Sequence, residues 1–331
     1  MRPPLPPSAP PKRLAACNPG SNAGHKGPMK TELDHLPEAK RRELQRVVEI
    51  LFAEFQDAIA LGTQAHKKQG RILKVILYGS YARGDWVDDP VGGYKSDYDL
   101  LVVVNHDRLT DMVEYWAKAE DHLMREMTID HRLTAPVSLI VHTLSDVNAQ
   151  LKRGRPFFVD IVRDGIALYE APGHEFVHPE PLSPEEALKE AQGYFDEWFP
   201  SADEFLVHGL DAVSRGWAKK AAFELHQASE RLFHCALLVL TLYSPRAHKL
   251  NFLRSQAEQL DTRLIAAWPR RSKFEQRCFE LLRRAYVEAR YSPQYKITTD
   301  ELTWLGERVT ALQALVKQVC EDRLDVLRAE A

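Results

Sequence analysis

The sequence predicts an α+β protein, in which a small mixed sheet with helices precedes an all-α, up-and-down helical bundle. Two short apolar runs, at residues 72–78 and 98–104, have the valine, isoleucine and leucine content of buried strands. Beyond a proline-containing stretch at 172–183, apolar residues recur only at helical spacing. A chain of 331 residues is also long enough for about two domains.

The overall charge of the chain is close to neutral. A formal net charge of −3 argues against broad electrostatic binding of nucleic acid and leaves room only for a local basic groove. Hydrophobic residues make up 44% of the chain, which is ordinary for a soluble globular protein. No apolar stretch is long enough to span a bilayer, so we expect no membrane partner.

The cysteines favour a cytoplasmic protein. Cys17, Cys235, Cys278 and Cys320 are scattered, without a Cys-x-x-Cys pair or a histidine at zinc spacing, so we expect reduced thiols. We expect no secretory signal either, because the N-terminus is proline-rich and lacks an apolar segment.

Residues 1–30 are predicted to form a disordered tail, because they are rich in proline and have few side chains to bury. A proline-rich ligand for an SH3-like domain is a second interpretation of this segment. Met29 directly precedes a well-formed folded segment. We therefore expect residues 1–28 to come from an upstream start codon that is not the native one.

The first helix and the first two strands follow the tail. A helix from about residue 36 towards residue 66 is predicted by apolar residues at helical spacing, namely Leu44, Val47, Val48, Leu51, Phe52 and Phe55. The strands at 72–78 and 98–104 are separated by an insert at 85–95, whose aspartates, glycines and proline favour a mobile loop.

The remainder of the first domain is predicted to complete the sheet. A helix is expected across 111–126 and a third strand at 137–141. Residues 147–169 predict a helix, a turn and a closing hairpin on the sheet edge, and 172–183 form a linker.

The second half begins with a strong helix start, since Ser183 and Pro184 precede two glutamates. Long helices with short connections predict an up-and-down bundle. The expected helices cover 184–214 with a bend at Pro200, 217–243, 250–260, 273–290 and 299–327.

The residues able to do chemistry lie at the ends of the two apolar strands. Asp97 and Asp99 are two residues apart along a strand, so both project from one face, where their charges repel unless a cation lies between them. Oxygen ligands so placed suit Mg²⁺, which takes one or two carboxylates plus substrate phosphates. Gly79 permits close backbone approach and Ser80 adds a hydroxyl donor. The pattern predicts a metal-held nucleoside triphosphate.

The order Gly-Ser-x-x-Arg-Gly at 79–84, then Ser-Asp-x-Asp-Leu at 96–100, resembles the signature of minimal nucleotidyltransferases in the DNA polymerase β-like superfamily. The resemblance implies a nucleotidyltransferase domain at 31–171, with ATP or another NTP as substrate and Mg²⁺ as cofactor. It implies catalytic residues Ser80, Asp97 and Asp99, metal ligands Asp97 and Asp99, and nucleotide-binding residues Gly79, Ser80, Arg83 and Ser96.

The superfamily commonly supplies a third carboxylate from its third strand, as a base or second metal ligand. The strand at 137–141 contains no acid, and Ser138 is the expected occupant of that position. Asp130 and Asp146 flank the strand without clear register. His142 is an alternative base, although a packing role is favoured for it. A strand without this carboxylate is compatible with nucleotide binding through one metal and disfavours efficient transfer.

The sequence at 221–234 resembles the HEPN domain, a helical bundle often found beside minimal nucleotidyltransferases, and implies such a domain at 184–331. Some HEPN domains are metal-independent RNases that use Arg-x4–6-His, often continued as His-x-Tyr. Arg284 and Tyr291 have the matching spacing, but Ala289 stands in the histidine position. Since alanine cannot move a proton, we expect no RNase activity. A scaffold facing nucleotide or RNA, or a homodimer surface, is the expected role.

Two histidines in this half are expected to pack. His226 and His234 lie on or near the apolar stripe of one helix, so a packing role is favoured over replacement of the missing catalytic histidine.

The leading functional hypothesis is transfer of an NMP from an NTP to an acceptor hydroxyl on a protein tyrosine, an RNA or a small molecule. In separate-chain relatives the nucleotidyltransferase is an antitoxin that adenylylates a tyrosine of a HEPN toxin, and the equivalent residue here is Tyr291. The alternatives are a nucleotide-binding sensor, a small-molecule transferase of the aminoglycoside-resistance type, and an RNase, which Ala289 disfavours.

Overall fold

The computed structural model describes residues 29–60, 62–89 and 94–331. The expected disorder at 1–28, Cys17 and the tip of the insert at 90–93 lie outside these residues. Met29 is buried against the sheet, and Lys30 forms a parallel β-bridge with Ile166. Met29 and Lys30, which were predicted to belong to the tail, are therefore in contact with the sheet.

The N-terminal part alternates helices and strands. The elements up to the second long strand are α1 (Glu38–Ala60), α2 (Ala65–Lys68), β1 (Ile72–Tyr78), α3 (Gly79–Arg83), β2 (Asp88–Asp89), β3 (Tyr94–Lys95) and β4 (Tyr98–Val104). A 3-10 turn and a π-helical turn then lead to α4 (Ala117–Thr128), β5 (Val137–Thr143), α5 (Leu144–Lys152), α6 (Pro156–Asp164) and β6 (Ile166–Glu170). Strands β1 and β4 have the predicted bounds, whereas β5 continues beyond the predicted 137–141 to Thr143.

The described strands form a mixed four-stranded sheet of order β5-β4-β1-β6, beside the two-stranded β2-β3 ribbon. Strand β1 pairs antiparallel with β4 and β6, whereas β4 and β5 run parallel. Parallel neighbours need a crossover, which α4 supplies. The predicted α+β class with a mixed sheet is confirmed.

Two local predictions in this domain are wrong. The first helix ends at Ala60, and a separate short helix carries His66. The hairpin expected within 147–169 does not form. Instead, Pro156 opens α6, where its fixed φ suits the first helical turn, and a single strand β6 pairs with β1.

Both faces of the sheet are covered, which explains why all residues of β1 and β4 are buried. Tyr98, Leu100 and Val102 lie in one core with residues of α1 and α4. Leu101 and Val103 lie on the opposite face, with residues of α5 and α6. Asp97 and Asp99 belong by alternation to this second face.

The long elements of the C-terminal part are helices, as predicted. It consists of α7 (Pro184–Ser214), α8 (Ala218–Thr241), α9 (Leu250–Leu260), a 3-10 turn (Thr262–Ala267), α10 (Lys273–Tyr291) and α11 (Thr299–Glu330). Helix α7 continues through Pro200, and its N-terminus is capped by Ser183. Buried leucine, valine and alanine side chains from these helices form a second core.

The two parts of the chain contact each other directly. Phe252 of α9 is buried in the core on the Asp97 face of the sheet, and Tyr243 packs against that core. The Tyr243 ring stacks on Phe157, with 4.3 Å between centroids. Lys249 pairs with Glu120 of α4 at 2.6 Å. The helical part therefore covers the face of the sheet that carries the aspartates.

No helix within residues 29–60, 62–89 and 94–331 has the length and apolar character needed to cross a bilayer. The described cysteines, Cys235, Cys278 and Cys320, are free thiols.

Candidate active site

Gly79 and Asp99 lie against each other at the end of two paired strands. The register of β1 and β4 places Tyr78 opposite Asp99, so Gly79 follows at the sheet edge. Gly79 has φ +72°, a conformation that favours glycine, and a Cβ here would lie 2.5 Å from Oδ2 of Asp99. Only glycine fits this turn without displacing the carboxylate.

The two aspartates are buried close together. Asp99 is fully buried and Asp97 is only 9% exposed. Burial raises the pKa of Asp97, opposed by hydrogen bonds from Ser138 and Ser255. Burial raises the pKa of Asp99 well above its ordinary value, and the charge of Asp97 raises it further. Two carboxylates so placed favour a cation between them.

Ser138 stands where a third carboxylate was expected. The parallel register of β4 and β5 places it opposite Asp99. Its Oγ donates a 2.8 Å hydrogen bond to Oδ2 of Asp97. The serine orients an aspartate, but it cannot act as an anionic ligand or base.

Helix α9 of the helical part reaches into this site, which the sequence did not lead us to expect. Gln256 donates from Nε2 to Oδ1 of Asp99, and Gln259 donates from Nε2 to Oδ2 at 2.9 Å. Ser255 of the same helix lowers the pKa of Asp97. Asp99 is thus held by the helical part, since each of its carboxylate oxygens accepts an amide hydrogen bond. These glutamines stand out only in the structure, where several polar side chains of the short helix α9 are buried and so require hydrogen-bond partners.

A buried ion cluster stands behind these contacts. Glu258 is 1% exposed and pairs with Arg254 at 2.7 Å and with Arg270 at 2.6 Å. Its charge contributes to the raised pKa of Asp97, whereas Arg270 lowers that pKa. Because two guanidinium groups hold Glu258, its carboxylate is committed to them.

The other polar side chains of the motif are Ser80, Arg83 and Ser96, and each has different surroundings. Ser80 is 5% exposed, and its buried Oγ has no hydrogen-bond partner. Arg83 contacts Asp85 at 3.3 Å and its charge lowers the pKa of Asp99. Ser96 accepts a 2.9 Å hydrogen bond from the backbone N–H of Val87 and so ties down the insert. Its nucleotide-binding role stays a prediction.

The flanking residues considered as bases lie elsewhere. His142 is paired in register with Val103, four residues beyond Asp99 or about 13 Å along the strand. It contacts Asp146 at 2.6 Å and the Tyr243 hydroxyl at 2.8 Å. Asp130 is exposed after α4. His142 thus belongs to the contact between the two parts of the chain.

The donor set around Asp97 and Asp99 fits Mg²⁺ held together with a nucleotide. Among the described residues, no group of three or more His, Cys, Asp or Glu could hold a metal ion. The protein would supply two carboxylates, and phosphates and water the other ligands. The unpartnered hydroxyl of Ser80 is a donor available to a phosphate oxygen.

A cavity of about 90 Å³ opens beside Gly79, between the two parts of the chain. Its lining includes Arg83 and Asp160 from one part and Tyr243 and Gln259 from the other. Pockets for small ligands occupy roughly 300–1,000 Å³. The cavity in this conformation is therefore too small for a nucleoside triphosphate.

The residues compared with the RNase motif do not converge. Arg284 pairs with Glu288, Ala289 is buried in a small core, and Tyr291 is 73% exposed. Nδ1 of His226 donates to the backbone carbonyl of Leu282 at 2.9 Å, and His234 contacts the Ser244 hydroxyl at 2.6 Å.

Comparison with protein families agrees with this geometry. Residues 63–171 match the family described as "Polymerase beta, Nucleotidyltransferase", and residues 195–319 match the family described as "HEPN domain". The first part of the chain thus matches a nucleotidyltransferase family and the helical part matches the HEPN family.

A similar protein comes from Methanocaldococcus jannaschii and bears the name "Putative protein adenylyltransferase MJ0604". It is 46% identical over 48 residues, which are 14% of this chain and 42% of that protein. The chain thus matches less than half of that relative's length.

Proposed function

We propose that the protein is a Mg²⁺-dependent nucleotidyltransferase that moves an NMP from ATP or another NTP to an acceptor hydroxyl. The observation that supports this most directly is the convergence of Asp97 and Asp99 beside Gly79, with the unpartnered hydroxyl of Ser80 within the same motif. The name of the M. jannaschii relative is consistent with adenylyl transfer to protein.

In the proposed reaction, the acceptor oxygen attacks the α-phosphorus of the NTP. The bond to the bridging oxygen breaks, pyrophosphate leaves and the acceptor proton passes to solvent. Asp97 and Asp99 would hold Mg²⁺, which neutralises phosphate charge when bound. Ser80 and Arg83 would bind phosphate oxygens through donors, and Ser138 keeps Asp97 oriented.

Incubation with α-³²P-ATP and Mg²⁺ tests the proposal, with candidate acceptors offered in turn. Label on protein, RNA or a small molecule is expected with the wild type and not with Asp97→Ala/Asp99→Ala. Tyr291 is accessible enough to be an acceptor in a second molecule, and Tyr291→Phe would remove label at that site. Equal labelling by the wild type and the double variant would contradict the proposal.

A nucleotide-binding sensor is the second candidate, and Ser138 is the observation that favours it. With serine opposite Asp99, the site lacks an anionic third ligand. A sensor would bind ATP in a Mg²⁺-dependent manner and give no labelled product with any acceptor. The expected homodimer surface and cytoplasmic location are compatible with either a transferase or a sensor.

A further inference from the structure

The nucleotidyltransferase site is closed by the HEPN domain. The amide groups of Gln256 and Gln259 donate hydrogen bonds to both oxygens of Asp99. These residues lie on α9, whose opposite face, including Leu253 and Ala257, packs in the helical core. The contact is therefore made by a structured element that belongs to the second domain.

Gln259 also fills the space in front of the glycine turn. Its Oε1 would lie 2.8 Å from a Cβ on Gly79. A phosphate approaching the Gly79 backbone closely would have to enter this same space. The cavity of about 90 Å³ beside Gly79 is lined by the same Gln259.

The surrounding interface supports opening of the domains as units. The contacts between them include Tyr243 with His142 and Phe157, Lys249 with Glu120, Arg155 with Glu190, and the buried ring of Phe252. The described connection between the domains, at 171–183, has no helix or strand, but Val177 and Glu180 are hydrogen-bonded to α5. A change in domain orientation would therefore be taken up beyond Glu180, without unfolding either core.

We propose that α9 is an autoinhibitory element: Gln256 and Gln259 hold the carboxylate of Asp99 in a closed state, and Mg²⁺ and NTP bind only after the HEPN domain moves away. This inference rests on the proposed function, since it concerns regulation of the same site. The apparent affinity for nucleotide is reduced by the fraction of molecules that are closed. Weakening the α9 contact therefore tightens nucleotide binding.

The analogue α,β-methylene-ATP carries a methylene group in place of the oxygen that bridges the α- and β-phosphates, so it cannot release pyrophosphate. Its binding together with Mg²⁺ can therefore be measured without turnover. We expect Gln256→Ala/Gln259→Ala to bind this analogue at least about fivefold more tightly than the wild type by calorimetry, because the closed state loses its amide donors. Asn251→Ala, at an exposed position of the same helix, is the matched control and should bind like the wild type. Weaker binding by the double glutamine variant would instead assign these amides to orienting Asp99 for the metal, and would overturn the inference.

A cross-link provides a test that does not alter the site. Glu120→Cys/Lys249→Cys, joined by a short bismaleimide, should hold the domains closed and reduce binding at least tenfold, while each single variant and the wild type treated with the reagent keep theirs. Unchanged binding in the cross-linked protein would overturn the inference. Failure of the proposed function looks different, since no form would then show binding that depends on Asp97.

Discussion

Gln259 donates a 2.9 Å hydrogen bond to Oδ2 of Asp99, across 160 residues of sequence and from one domain to the other. The same side chain places its Oε1 close to Gly79. Asp99 and Gly79 both lie in the motif that resembles that of nucleotidyltransferases. This one side chain therefore joins the candidate site to the helical part of the chain.

The substitution Gly79→Ala tests the close approach at the motif. Its Cβ would meet Asp99 and Gln259, in addition to the strain of φ +72°. We expect nucleotide binding to fall more than tenfold. Gly84→Ala is the matched control, because Gly84 has φ +85° but its nearest contact would be His35 at 3.4 Å. It should lose only about 1–2 kcal/mol of stability from backbone strain. Equal binding by the two variants in calorimetry would argue against a special role for Gly79.

The substitution Ser138→Asp tests the missing carboxylate. The new acid would lie opposite Asp99 and near Asp97, so without metal we expect a lower Tm from repulsion between buried charges. Added Mg²⁺ should raise this Tm by several degrees more than that of the wild type, and labelled transfer should increase. Ser138→Asn has a similar size and no charge, and serves as control. The Tm of both variants is measured by thermal shift without and with Mg²⁺. The prediction would be contradicted if Mg²⁺ raised the Tm of both variants by the same amount.

The pH dependence of stability can be tested at Glu126. A hydrogen bond from Arg46 lowers the pKa of Glu126, and Arg132 lies at 3.2 Å. Since the folded pKa lies below the ordinary value, the stabilisation is present above about pH 4.5 and is lost as the pH falls through the folded pKa. We expect Glu126→Gln to cost about 1–2 kcal/mol at pH 7 and less at pH 3.

Urea denaturation at the two pH values measures this difference. Glu49→Gln is the control, because Glu49 is more exposed and lies 3.9 Å from Arg46. It should change the free energy of unfolding by less than about 0.5 kcal/mol at either pH. A Glu126→Gln variant with the same deficit at pH 3 as at pH 7 would show that its effect is not electrostatic.

The parts of the fold that the sequence predicted best are those decided locally. Strands β1 and β4 and helix α9 have the predicted bounds, since uninterrupted apolar runs and helical spacing leave little choice at those positions. The hairpin at 147–169 failed because Pro156 starts a helix as readily as it breaks a strand.

The candidate site shows the same division. Local spacing was enough to propose that Asp97 and Asp99 share a strand face. The partners of Asp99, Gln256 and Gln259, could not be found this way, because nothing in the sequence specifies which surface of the first domain α9 covers. Their contact depends on the orientation of the two domains, which is set by long-range packing around Phe252 and Tyr243.

The last prediction concerns the RNase motif of the HEPN domain. Restoring its histidine with Ala289→His should not create an RNase, because residue 289 is 5% exposed and packs among Ala285 and Leu302. A larger side chain in this core should cost about 1–3 kcal/mol. Tyr291→His is the matched control for stability, since residue 291 is 73% exposed and should tolerate the change. Urea denaturation and cleavage of a labelled RNA in EDTA measure the two effects. Cleavage by Ala289→His that disappears with Arg284→Ala would show instead that the helix can present both groups together.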